Sequence, residues 1–168
     1  MQFAKDSVYV ALRDRLAAIN PERVIEIGGS SRPAVLVTEN QIINLEAGVS
    51  LLRAAFELQW GRVEVVGEAR GPARPLMRLD LGISYNIVGS DTTGADRGRM
   101  LGAMDSELMR MCTPRRTPKQ DYTQATPVTL GSMVFWSDPH LGDVEDEEGV
   151  MRRTASLSVF YYPEVEVA

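Results

Sequence analysis

One stretch restricts the fold more than any other: "LMRLDLGISYNIVG", residues 76–89. Met77, Leu79, Leu81, Ile83, Tyr85 and Ile87 fall on one side of an extended chain, and Arg78, Asp80, Gly82, Ser84 and Asn86 on the other. Side chains alternate faces along a strand, so this is the pattern of a sheet with one buried and one wet face. "FELQWGRVEVVGEA", 56–69, is also strand-like, and "RGPARP", 70–75, has the composition of a turn. Two strands joined by a turn predict an antiparallel hairpin. A chain of 168 residues with 44% hydrophobic content fits one domain, 1–168, with an ordinary core.

The remaining segments arrange themselves around that hairpin. Residues 6–19, "DSVYVALRDRLAAI", read as an amphipathic helix with Val8, Leu12, Leu16 (or Arg15) and Ile19 on one face. Asp6 or Ser7 is the expected cap, and Asn20-Pro21 the expected stop. "RPAVLVTEN", 32–40, reads as a buried strand with Pro33 at its first position. Residues 41–55 fit either a short helix or a covered loop. "GSDTTGADRG", 89–98, breaks the sheet before a helix over 96–111. Met100, Leu101, Met104, Leu108 and Met111 are spaced to form its core face, with Asp96 or Thr93 as its cap. Gly98 and Gly102 weaken that helix by about 1 kcal/mol each relative to alanine.

Two charged stretches follow. "TPRRTPKQDYTQATP", 113–127, has three prolines and no apolar period, so a long polar loop is expected. "GSMVFWSD", 131–138, reads as a short strand, and a second long loop is expected over 138–149. "VMRRTASLSVFYY", 150–162, closes the sheet, and Pro163 stops it. The predicted class is α+β, a mainly antiparallel sheet with two or three helices packed on one side.

Composition excludes several functions. The net charge of −5 and pI near 5.0 argue against a specific nucleic-acid binder, whose footprint is basic. No apolar run approaches the roughly 20 residues of a membrane span. The N-terminus lacks a signal-peptide pattern, so synthesis and use in the cytosol are expected. "GGSSRP" and "GSDTTGADRG" lack a dinucleotide fingerprint and are read as turns, and no phosphate-binding loop precedes either lysine. Cys112, the single cysteine, reads as a small buried hydrophobe beside the methionines. His140 lies among Asp138, Asp143, Glu145, Asp146, Glu147 and Glu148. A metal site there would need the calcium-loop spacing or more histidine and cysteine ligands, and a solvated or partner-facing loop is the better reading. No catalytic residue, metal ligand or cofactor is therefore expected, and the chain is read as a non-enzyme.

What is left is charge of opposite sign on two stretches. Arg110, Arg115, Arg116 and Lys119 form the expected basic patch; Asp143, Glu145, Asp146, Glu147 and Glu148 form the acidic one. Both are read as subunit or partner contacts, because a head-to-tail ring of identical copies brings one to the other. Lys5 and Lys119 are the only lysines, the other cations being arginine.

The order of elements resembles the tail terminator family of long-tailed bacteriophages. The resemblance is carried by the "VYVALRDRLAAI" helix, "RPAVLV" as first core strand, "MRLDLGISYNIVG" running into "DRGRMLGAMDSELMRM", and the final "RRTASLSVFYY" strand. It spans residues 6–162 and is one of pattern, without a diagnostic short motif. It implies a six-fold ring at the head-proximal end of the tail, located in the virion and assembled in the host cytoplasm. Its partners would be the tail tube protein and the neck or connector proteins, with no catalysis and no cofactor. A head–tail connector or neck protein of the same fold is the nearest alternative. A small cytosolic metal-dependent enzyme using the acidic loop is a more distant one.

Overall fold

The computed structural model describes residues 1–38, 54–67, 74–89 and 95–164. The class is α+β: among the described residues, two helices and nine strands. Helix α1, Gln2–Ile19, is followed by strands β1, Val24–Ile27, β2, Ser30–Pro33, and β3, Val35–Val37. Strands β4, Phe56–Val65, and β5, Met77–Val88, precede helix α2, Ala95–Met111. Strands β6, Arg116–Asp121, β7, Val128–Trp136, β8, His140–Glu147, and β9, Val150–Tyr161, complete the described chain.

Seven strands form one sheet in the order β3-β4-β5-β9-β7-β6, with β8 also paired to β9. The β3–β4 pair is parallel and the other pairs are antiparallel. The alternation seen in the sequence sets the register at the centre. Leu79, Leu81 and Ile83 of β5 lie opposite Val159, Leu157 and Ala155 of β9, and all six are buried. Burying a large apolar side chain contributes about 1.5–3 kcal/mol, so the last strand is a structural centre and not an appendage. The predicted β4–β5 hairpin pairing is present, with a register shift between Trp60 and Val63.

Both helices join the core on this inner face. Val8, Leu12 and Leu16 of α1, and Leu101, Met104, Leu108 and Met111 of α2, are buried in it with Cys112. Met100 departs from the expected core stripe: it is 40% exposed, because the face that meets the sheet begins one residue later. Tyr85 of β5 donates to Asp105 of α2 at 2.5 Å, and Arg153 of β9 donates to the other oxygen at 2.7 Å. Burial first, then the hydrogen bond and charge of Asp105, push the Tyr85 phenol well above its ordinary pKa.

Four local expectations are corrected. Helix α1 starts at Gln2 with Met1 at the N-cap position and no side-chain capping bond, so neither Asp6 nor Ser7 caps it. Ser7 instead donates to Phe3 O at 2.6 Å, inside the helix. Pro33 does not open the buried strand; it ends β2 opposite Val24, and β3 starts at Val35. The Gly28-Gly29 turn expected in "GGSSRP" closes that β1–β2 hairpin, with both glycines at positive φ as a two-residue hairpin turn demands. The predicted loops at 113–127 and 138–149 contain strands β6 and β8. Neither strand has an apolar period to betray it, because their pairing partners decide their conformation. Asp96 lies inside the first turn of α2. The Thr93 cap, the turn at 70–73 and nearly all of the ambiguous 41–55 segment lie outside the described residues.

Candidate interaction surfaces

Strand β8 carries the acidic residues along an arm and not on a loop. It pairs antiparallel with the first half of β9, Glu147 lying opposite Val150. The two-residue turn between them has Glu148 at φ 50° and Gly149 at φ 83°. Both central residues at positive φ make the turn whose twist matches flanking strands. At its other end, a register shift between Leu141 and Val144 bends the arm. A Cβ on Gly142 would meet Thr154 O at 2.6 Å, so only glycine lets the two backbones approach here.

Pairing sorts the carboxylates by face. Asp146, opposite Met151, lies on the helix side and pairs with Arg97 at 3.4 Å. Glu145 lies opposite Arg152 on the outer side. Glu145, Glu147, Glu148 and Arg152 line a shallow hollow with Val150. Every β8 residue except Leu141 is exposed. Among the described residues, nothing pairs with the outer edge of β8. Such an edge is a template for another chain, and its charge restricts which chain can use it.

The predicted basic patch is divided three ways. Arg116 starts β6 opposite Phe135 of β7, itself opposite Phe160 of β9. That places Arg116 on the outer sheet face, beside the Phe135–Phe160 stack at 5.2 Å. Alternation along β6 then turns Thr117 and Lys119 inward. Lys119 is fully buried, so it does not belong to a surface patch. Its ammonium is bound by Tyr162 O and the Glu164 carboxylate. Glu164 also receives the N-terminal ammonium at 3.4 Å. Burial alone would raise the Glu164 carboxyl, but the Lys119 hydrogen bond and positive charge hold it below its ordinary range.

Arg110 and Arg115 face the opposite side from Arg116. They line a cavity of about 380 Å³ with Arg15, Ala18, Ile19 and Thr113. Arg15, which the sequence placed ambiguously on the α1 face, is central to it. Its guanidinium donates to Met111 O at 2.9 Å and Thr113 O at 2.7 Å, satisfying carbonyls left open at the end of α2. It also lies over the Trp136 ring at 4.9 Å. Burial first, and then the charge of Arg115, lower the Arg15 pKa. Close by, Arg23 grips Glu107 at 2.5 and 2.9 Å, and Asn20 donates to it at 2.8 Å. Burial works against the Glu107 carboxylate, but these donors outweigh it and hold its pKa below the usual range.

The two edges of the sheet near these patches differ. Pro118 has no N–H to offer at the β6 edge, and the Gln120 N–H donates to Ser7 Oγ of α1 at 3.0 Å. Strand β6 is thereby covered. The acidic tip and Arg116 also lie far apart: Glu147 is level with Val150 of β9, while Arg116 is level with Phe135 and so with Phe160. Between those two β9 levels the strand rises about 33 Å, at roughly 3.3 Å per residue.

Two potentially nucleophilic side chains, Cys112 and Ser137, are occupied by structure. Cys112 is buried, and burial pushes its thiol up to about 12, the wrong direction for a nucleophile. Near His140, Ser137 Oγ is engaged with Asp138 O at 3.1 Å and accepts the Ser158 N–H at 3.0 Å. Among the described residues, no three His, Cys, Asp or Glu side chains are grouped as metal ligands. Among them, no helix is long and apolar enough to cross a membrane. No protein-family model and no curated protein matches the chain.

Proposed function

We propose that this chain is a structural ring subunit of the tail-terminator type, assembled head to tail and docking on the head-proximal end of a phage tail tube. In this reading it is one mainly antiparallel domain, it is not an enzyme, and its partners are further copies of itself, the tube protein and the neck. The observation that carries it is the separation of unmatched charge. The acidic β8 arm and the arginines around β6 sit at different levels of β9, so they meet only between copies. A heterologous contact sets the acidic arm of one copy on the basic side of the next, and such head-to-tail contacts close into a ring where the rotation permits. The element order described above supports the same assignment.

Native mass spectrometry of the full chain, alone and with purified tail tubes, tests the reading. A closed oligomer, six-fold by the terminator resemblance, that halts tube elongation is the expected result. A monomer at every concentration, with no effect on tube length, sinks it.

A further inference from the structure

We infer that the cavity lined by Arg15, Arg110 and Arg115 at the paired helix ends is a socket for the Glu147–Glu148 hairpin tip of a second copy of this chain. The inference rests on the ring reading and adds the contact that would build the ring. Three guanidinium groups share the cavity and no carboxylate lines it. Glu107, which feels the charge of Arg110, is already held by Arg23 and Asn20. Arg15 is fixed by two carbonyls and by Trp136, so it forms a rigid floor, while Arg110 and Arg115 are exposed and free to turn toward an incoming anion.

The tip has the opposite imbalance. Glu145, Glu147 and Glu148 share their hollow with one cation, Arg152. The tight turn at Glu148-Gly149 presents its carboxylates on two paired strands, which lowers the ordering cost of inserting them. Arginine suits such a socket because its planar fork binds a carboxylate through two hydrogen bonds. Arg116 does not belong to it, since it faces the outer sheet surface.

Particle mass of full-length variants tests this. Arg110→Glu with Arg115→Glu should convert the wild-type oligomer to a monomer that still unfolds cooperatively. Adding Glu147→Arg and Glu148→Arg to the same chain should restore the oligomer, and Arg116→Glu alone should leave it intact. A chain carrying Arg115→Cys and Glu148→Cys should form disulfides between copies on oxidation, while Arg116→Cys with Glu148→Cys should not; Cys112 is buried and stays out of the reaction. A wild type that assembles while the double arginine reversal assembles equally well overturns the socket and leaves the ring. Loss of assembly without rescue, together with phosphate raising the wild-type melting midpoint alone, would assign the cavity to a free anion and also overturn it. A monomeric wild type removes the ring reading itself.

Discussion

Strands β6 and β8 are both short, both rich in charge, and both lie within a few residues of a proline or glycine. Their surroundings are opposite. Strand β6 is closed in by α1, has its one lysine fully buried, and has an edge N–H taken by Ser7. Strand β8 is exposed on both faces, and among the described residues its outer edge is unpaired. A charged side chain therefore does two different jobs in this protein. In β6 it ties the C-terminal segment to the fold through Lys119, Glu164 and the N-terminal ammonium. In β8 it decorates an arm that contributes little to the core and presents an edge to other chains.

The largest expected separation between the two strands comes from reversing one charge in each. Lys119→Glu buries a carboxylate against Glu164, and breaking a buried pair costs about 3–5 kcal/mol. Glu147→Lys, on the exposed arm, should stay within about 0.5 kcal/mol of wild type. Urea denaturation of both variants measures the gap, and equal midpoints would erase the distinction drawn between β6 and β8.

A smaller effect is expected where the arm leaves the body. Gly142→Ala forces a Cβ against Thr154 O and should cost about 1–3 kcal/mol, as overpacking does. Hydrogen exchange should then rise in 140–147 before it rises in β5. Uniform exchange across the sheet would mean that β8 is as integral as β9.

The mildest effect is graded with pH. The Glu164 carboxyl is held below its ordinary value of 4.5, so its contribution is fully present above that value and is lost as pH falls through the lower folded value. Glu164→Gln should therefore flatten the stability profile below about pH 4.5, whereas Glu147→Gln should leave its shape unchanged. Matching profiles for the two variants would count against the β6 clasp.

The sequence by itself determined the inner half of this protein. Leu79 to Tyr85 and Ala155 to Tyr161 alternate because each strand faces a core on one side and is at least partly exposed on the other, while Asn86, expected on the wet face, is buried between Tyr85 and Ile87. One-sided burial writes a period of two into a strand, and the 3.6-residue spacing of Val8, Leu12 and Leu16 has the same origin in α1. Only tertiary structure decided the charged half. Strand β8 has no period to read because both its faces are exposed, and it is extended only because β9 is there to pair with it. Arg115 and Arg116 look like one patch in sequence, but neighbours in an extended chain point to opposite faces, so one joins the helix-end cavity and the other the aromatic stack. Lys119 looks like surface because lysine is costly to bury, and the groups that satisfy it lie 43 and 45 residues away. A buried charge is defined by its partner, and no local pattern reveals a partner at that distance.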